Sequence, residues 1–317
     1  MDLGLVIYGS LDSLTGGYIY DRILVDYLRQ CGHRVDIISL APGPYSRHLL
    51  DCFSPVLRSN LLNSDCDVLL QDELSHPSLC RINHLLQRKT NSPIVAIVHQ
   101  VLCRQPRCRF LNRLYETVEK TYLNSVDAFI FNSKTTRRNV EQLIRGRRPS
   151  IVASPAGDRL GSLALTDRIG SRALAPGPLE LIFVGNVLPN KGLLPLIQDL
   201  SKLPFEIWHL TVVGSLDMNR RYHRKVEKLI VSKKMERQVV LVGPRKGPDL
   251  ASLLARAHVF VMPYSYEGFG MAHLEAMAYA LPVIGSSSGA VKEYVIPEVN
   301  GFLIRGSGML DDIALVE

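Results

Sequence analysis

The sequence predicts an α/β protein of two doubly wound units facing a cleft, and three observations carry that prediction. The 317 residues exceed one typical domain. Short runs rich in Val, Ile, Leu and Phe recur between amphipathic stretches, as expected of parallel strands buried on both faces between helices. That rhythm breaks once, over residues 158–179, where Gly, Pro, Arg and Ser replace any long apolar period and read as an inter-domain connection.

In the first half the strand candidates are residues 3–8, 35–38, 68–70, 94–98, 128–131 and 151–152. Residues 18–30 supply a helix between the first two, mixing Ile19, Ile23, Val25 and Leu28 with Asp26 before Gly32 stops it. Beyond the seam, strands are expected at 181–184, 210–213, 239–242, 259–262, 282–284 and 302–304, with helices at 222–234 and 249–257. Two β-α-β series in tandem imply two Rossmann-like sheets, a first domain over residues 1–160, a linker over 161–178 and a second domain over 179–317.

Hydrophobic residues at 46% and charged residues at 21% match ordinary globular usage, which excludes a disordered chain. Lys and Arg outnumber Asp and Glu by 37 to 30, a net charge of +7 that favours an anionic partner. The basic residues cluster as Arg104, Arg107, Arg109 and Arg113, then Lys134, Arg137, Arg138, Arg145, Arg147 and Arg148, then Arg220, Arg221, Arg224, Lys225 and Lys228. Without interleaved aromatics these read as solvated helix faces, with peripheral membrane contact as the second reading and nucleic acid set aside. The six cysteines contain no C-x-x-C pair and read as reduced thiols. No basic, apolar leader opens the chain and no apolar run nears the ~20 residues of a membrane span, so a cytoplasmic protein is expected, peripheral at the inner membrane face if membrane-associated.

The segment from Val259 to Pro282 is the most informative. A buried strand ends at Pro263, a glycine-containing loop follows, and a helix begins near Met271 and runs until Pro282 forbids it. Backbone N–H groups at Gly268, Phe269, Gly270 and Met271 are expected to face an anion at a positive helix end. Glu267 and Glu275, roughly 12 Å apart on helical rise, suit two separate contacts along a polyhydroxylated ligand rather than one acid–base pair.

Glu267-x7-Glu275 within Glu-Gly-Phe-Gly-Met, followed by Leu281-Pro-Val-Ile-Gly285 and Gly289-Ala-Val-Lys-Glu293, resembles the donor motif of the retaining family 4 glycosyltransferases of GT-B fold. Leu181-Ile-Phe-Val-Gly185-Asn-Val-Leu-Pro-Asn-Lys191-Gly192 resembles that family's phosphate strand and loop, and Thr15-Gly16-Gly17 its N-terminal glycine loop. The resemblance implies Glu275 on the nucleotide ribose, Glu267 near the transferred sugar, Lys191 and Asn186 at the diphosphate, and the amides of Gly268, Phe269, Gly270 and Met271 toward sugar and phosphate. It further implies Gly16 and Gly17 close to the diphosphate and His99 near the sugar. Family members often carry Arg where Asn186 stands, and continue with helices beyond residue 304, so a C-terminally shortened chain is expected. Asp65-Cys66-Asp67 has the form of a metal-binding D-x-D but precedes a strand, where turn roles are commoner, so no metal is expected. Gly268-x-Gly270-x-x-His273 imitates a dinucleotide fingerprint without its closing acid, so no nicotinamide cofactor is expected either.

The expected function is a metal-independent, retaining glycosyltransferase that moves a sugar from a nucleoside-diphosphate sugar, its co-substrate, to a hydroxyl acceptor. Catalytic roles fall to His99, Lys191 and Glu267. The rivals are a sugar-nucleotide epimerase or phosphorylase using the same cleft, and a non-catalytic nucleotide-sugar-binding protein.

Overall fold

The computed structural model describes residues 1–13, 15–105, 108–160, 176–263 and 268–304. The chain forms two compact units, Met1–Pro155 and Ala156–Glu317.

The first unit runs β1 (Asp2–Tyr8), α1 (Gly16–Gln30), β2 (Arg34–Leu40), α2 (Tyr45–Asp51), α3 (Pro55–Leu62), β3 (Val68–Asp72), α4 (His76–Leu79), α5 (Ile82–Lys89), β4 (Ile94–Val98), α6 (Arg109–Leu123), β5 (Ala128–Phe131), α7 (Lys134–Glu141) and β6 (Ser150–Val152). Its six strands form one parallel sheet in the order β2-β1-β3-β4-β5-β6. Leu5, Val6 and Ile7 are successive and all fully buried, which is why the strand shows no apolar–polar alternation: helices cover both faces. The helix expected over residues 18–30 begins at Gly16, so Gly16 and Gly17 form its first turn and not a preceding loop, with the Ile19 amide bonded to the Thr15 carbonyl at 3.0 Å. Side-chain periodicity starts at Ile19 and is blind to residues without side chains.

The second unit runs β7 (Leu179–Val184), α8 (Leu193–Leu200), β8 (Trp208–Val213), α9 (Arg220–Ser232), β9 (Val239–Gly243), α10 (Gly247–Arg256), β10 (Val259–Met262), α11 (Met271–Ala278), β11 (Val283–Ser286) and β12 (Gly301–Ile304). These strands form a second parallel sheet, β12-β11-β10-β7-β8-β9. Helix α9 buries Tyr222, Val226 and Ile230 and exposes Arg220, Arg221, Arg224, Lys225 and Lys228, so this basic run is a solvated face. Helix α11 stops short of Pro282: Ala280 turns into the left-handed region at φ 51° and the Leu281 amide returns to the Ala276 carbonyl at 3.1 Å.

Both sheets contain a point where the strand order reverses, between β1 and β3 and between β7 and β10. Connections leave such a pair in opposite directions, which opens a crevice at the carboxyl ends of the two strands. The fold therefore offers one site-forming edge in each unit before any side chain is considered.

Phe183 on β7 is fully buried while Ile151 on β6 is 61% exposed. Phe183→Ala should cost about 3–5 kcal/mol in urea unfolding of the intact chain and Ile151→Ala under about 1 kcal/mol. Equal losses would contradict a core centred on the second sheet's faces.

Candidate functional site

At the second unit's switch point the chain leaving β7 is fixed mainly by backbone. The Gly185 amide bonds the Val213 carbonyl at 2.8 Å, the Val187 amide bonds the Ser215 carbonyl at 3.0 Å, and Asn186 Oδ1 accepts from the Ser215 amide at 3.0 Å. Gly214 sits at φ 149°, and a Cβ there would lie 2.1 Å from the Gly185 carbonyl oxygen, so these two loops touch backbone to backbone. Asn186, expected at the diphosphate, thus spends its carbonyl oxygen on bracing the loop. A 3-10 turn, Pro189–Lys191, follows, and Gly192 in the left-handed conformation admits α8.

Across the switch point, the chain leaving β10 reaches Gly268, Phe269 and Gly270, all buried, and enters α11 at Met271. Gly270 adopts φ 94°, and a Cβ there would sit 2.7 Å from both His273 Nδ1 and the Tyr294 hydroxyl oxygen. The Tyr294 hydroxyl donates to the Phe269 carbonyl at 2.5 Å and fixes the turn. His273 is fully buried; burial first, and the charge of Lys191 second, push its pKa down to about 3, so the imidazole is neutral. Lys191 and the first turn of α11, predicted separately, are therefore electrostatic neighbours. Glu267 lies outside the described residues.

Glu275 is buried in the second turn of α11, and Arg159 donates to its Oε1 from Nε at 2.9 Å and Nη2 at 2.6 Å. Burial raises the carboxyl pKa, and Arg159 opposes that rise. The segment carrying Arg159, expected in the first domain, packs with the second unit: a Cβ on Gly157 would lie 2.6 Å from the Leu274 carbonyl oxygen, and Tyr279 donates to the Leu160 carbonyl at 3.1 Å. Sequence reasoning missed Arg159 because it stands in a seam with no periodicity, 116 residues from its partner.

In the first unit, His99 follows β4 and lies 8% exposed. Its Nε2 meets Asp21 Oδ1 of α1 at 2.9 Å, its carbonyl accepts from Asn132 at 2.7 Å, and Tyr20 packs edge-on to the ring. A Cβ on Gly17 would come within 3.1 Å of His99 Cδ2, so Gly17 and His99 are brought together and the glycine makes room for the ring. Gly16 stays exposed at the helix start. Asp72, the last residue of β3, completes a buried group: ligand-type atoms of Asp21, Asp72 and His99 lie within 4.8 Å of one another, as do those of Glu73, His76 and Glu119. Neither group was anticipated from sequence. The D-x-D pair behaves as a strand start, with Asp67 Oδ2 accepting from the Asp2 amide at 2.8 Å and both aspartates exposed. The described cysteines are free thiols.

Chemically, the second unit offers a cation at Lys191, amide donors at a helix N-terminus, a neutral histidine and a carboxylate restrained by arginine. That set suits a ligand with an anionic centre and a hydroxyl-bearing end. Gly270→Ala should lower the melting temperature by several degrees, because a left-handed alanine and two displaced neighbours cost about 1–3 kcal/mol. An unchanged melt would show that the turn into α11 has freedom the geometry denies.

Residues 20–155 match the family described as Glycosyltransferase Family 4, and residues 168–314 match Glycosyl transferases group 1. A D-inositol 3-phosphate glycosyltransferase of Pseudarthrobacter chlorophenolicus is 30% identical over 168 residues, 51% of this chain and 40% of that protein. An MMP alpha-(1->4)-mannosyltransferase of Mycolicibacterium hassiacum is 26% identical over 241 residues, 71% of this chain and 56% of that protein. The chain spans about half or less of the length of most curated relatives it matches. Among solved structures, sucrose-phosphate synthase from Thermosynechococcus elongatus superposes with a TM-score of 0.82 at 21% identity, covering 99% of this chain and 89% of that one. Anabaena Alr3699/HepE in complex with UDP-glucose superposes with a TM-score of 0.76 at 18% identity, covering 100% and 88%. No helix among the described residues is long and apolar enough to cross a membrane. With both halves matched in tandem on two parallel six-stranded sheets, the chain belongs to the GT-B glycosyltransferases of group 1 and family 4.

Proposed function

We propose that this protein transfers a sugar from a nucleoside-diphosphate sugar to an acceptor hydroxyl, with retention of configuration and without a metal. The observation that carries the reading is the meeting of the Lys191 loop and the N-terminus of α11 at the carboxyl ends of β7 and β10, with Glu275 one turn further along. As the glycosidic bond breaks, negative charge grows on the departing phosphate, where an ammonium and preorganised amides stabilise it most. The neutral His273 adds no competing charge, and Glu275, held by Arg159, presents a carboxylate for ribose hydroxyls. Asn186 serves this site by holding the loop that carries Lys191. The solved relative named for its UDP-glucose complex supports a nucleotide-sugar donor by analogy. On the family resemblance, His99 and Gly17 of the first unit are read as donor-facing residues.

Donor turnover by the intact chain, followed as free nucleoside diphosphate across a panel of nucleotide sugars and hydroxyl acceptors, tests the reading. A transferase releases diphosphate and forms a glycosylated product in EDTA as well as without it. An epimerase converts donor without acceptor, a phosphorylase requires inorganic phosphate, and a binding protein releases nothing. Loss of turnover in EDTA, restored by Mn²⁺ or Mg²⁺, would overturn the metal-free mechanism.

Glu275→Gln should mainly raise the donor KM, since a ribose contact is shared by ground and transition states. Lys191→Ala should lower kcat as well, by ~10²-fold, as for loss of one transition-state donor. Calorimetry with a nucleoside and with its diphosphate separates the two roles. Nucleoside affinity unchanged in Glu275→Gln, or diphosphate affinity unchanged in Lys191→Ala, would show the residue to be wrongly assigned.

A peripheral membrane contact for a lipid-borne acceptor is supported by α6, where Phe110, Leu111 and Leu114 are exposed at 85%, 38% and 43% beside the exposed Arg109 and Arg113. Cosedimentation with anionic vesicles, lost in Phe110→Ser, is the expected result.

A further inference from the structure

The first unit's switch point holds more titratable groups than a purely structural core needs. Asp21 on α1 is fully buried, Asp72 at the end of β3 and Glu73 beside it are 1% exposed, and His99 is 8% exposed. Asp21 has one oxygen on His99 Nε2 and none of its described neighbours bonds Oδ2; Asp72 accepts the Leu74 amide on Oδ1 and likewise leaves Oδ2 without a partner. Buried carboxylates so poorly satisfied by neutral donors are tolerable when a cation stands among them or when they take up protons.

The neighbours divide those two options between them. From α1, Tyr18 and Tyr20 face the cluster, and burial raises both phenols to about 12, so they stay neutral. From the turn after β3, His76 donates Nδ1–H to the Glu73 carbonyl at 2.9 Å and accepts from the Tyr45 hydroxyl on Nε2 at 2.9 Å, and burial keeps it uncharged. From α6, Glu119 accepts the amides of Leu102 and Cys103 at 2.5 and 2.9 Å. Burial raises the carboxyls of Asp72, Glu73 and Glu119 alike. Among the described groups facing these carboxylates, His99 is the one placed to carry positive charge. Burial lowers its pKa, but the charge and hydrogen bond of Asp21, then the charges of Asp72 and Glu73, more than reverse this and lift it to about 9.

We propose that Asp21, backed by Asp72, is a positioning residue that holds His99 as an imidazolium, so that His99 acts on the donor as a fixed cationic hydrogen-bond donor and not as a base. Nε2–H is committed to Asp21. Nδ1 has no hydrogen bond among the described residues, which leaves Nδ1–H for an anionic or oxygen-rich part of the ligand. Gly17 leaves room for the ring, the Asn132 bond holds the His99 backbone carbonyl, and Glu119 pins the loop that follows it. No proton leaves His99 during transfer; the ring contributes charge alone, and does so across the neutral range. The proposal rests on the reading of His99 as a donor-facing residue.

His99 is bound to its proton more tightly in the folded state than in the unfolded chain, where its pKa is about 6.5. The pair's stabilisation is complete below about pH 6.5 and is lost as pH rises through about 9. Donor turnover should share that alkaline limb.

Histidine NMR of the intact chain, with His99→Gln assigning the signal, tests the protonation state directly. His99 should stay protonated through pH 8 in the wild type and titrate below pH 7 in Asp21→Asn. Neutral His99 at pH 7 in the wild type, or an unshifted titration in Asp21→Asn, would overturn the proposal. Asp21→Asn should also lower donor kcat by ~10²-fold and move the alkaline limb to lower pH, with no further effect in a His99→Gln background. An equal loss in that background would reduce Asp21 to a packing role. Should Asp21→Asn fail to fold, Asp72→Asn, which reaches His99 through charge, is expected to lower the His99 titration by a smaller step, and no step would count against the proposal. If the wild type turns over no nucleotide sugar, the functional reading falls while the NMR still decides the pair.

Discussion

A parallel sheet covered on both faces can receive a ligand only at its carboxyl edge, and the rest of this protein is arranged around that constraint. Helices seal β1 and β7 above and below, so nothing reaches the middle of either sheet. Where the winding reverses, two loops part and leave a gap at the strand ends. Lys191 and the start of α11 occupy that gap in the second unit, and His99, Gly17 and Asp72 occupy it in the first. Their proximity is a consequence of topology first and of side-chain chemistry second.

Chemistry then exploits the low dielectric that the helices create. Glu275, His273, His99 and Asp72 are each shifted from their usual behaviour by burial, and in each case a specific charge adds to or opposes that shift. Arg159 restrains Glu275, Lys191 helps keep His273 neutral, and Asp21 charges His99. Groups perturbed by burial together with a named charge partner, gathered at a ligand-accepting edge, are what a functional site requires.

Much of this was legible in the sequence, and the limits of legibility are physical. Strands such as Ile94–Val98 announced themselves because burial on both faces leaves no polar alternation. The α11 loop was readable because glycine, strand and helix start fall within one short segment. Gln71 and Asp72 were not, since a hydropathy reading ends β3 at its last apolar residue, whereas Gln71 stays in the core by pairing its amide with Asn83 at 2.9 and 3.0 Å. Helix α4 escaped too: His76, Pro77, Ser78 and Leu79 are all buried, so no polar face marks it as a helix. Arg159 and Asp21 meet partners 116 and 78 residues away, and nothing local to either announces the match.

The close approach of Gly214 to Gly185 sets the second unit's switch point apart from the first unit's in evolutionary terms. Because backbone amides and carbonyls, together with the Asn186 side chain, fix the Lys191 loop against its neighbour, most other side chains nearby can change without altering its path, provided the glycines persist. His99 is held by other side chains, and drift at Asp21, Asp72 or Gly17 would displace it or alter its charge. Descendants of this chain should therefore diversify around His99 while the Lys191 loop is inherited almost unchanged.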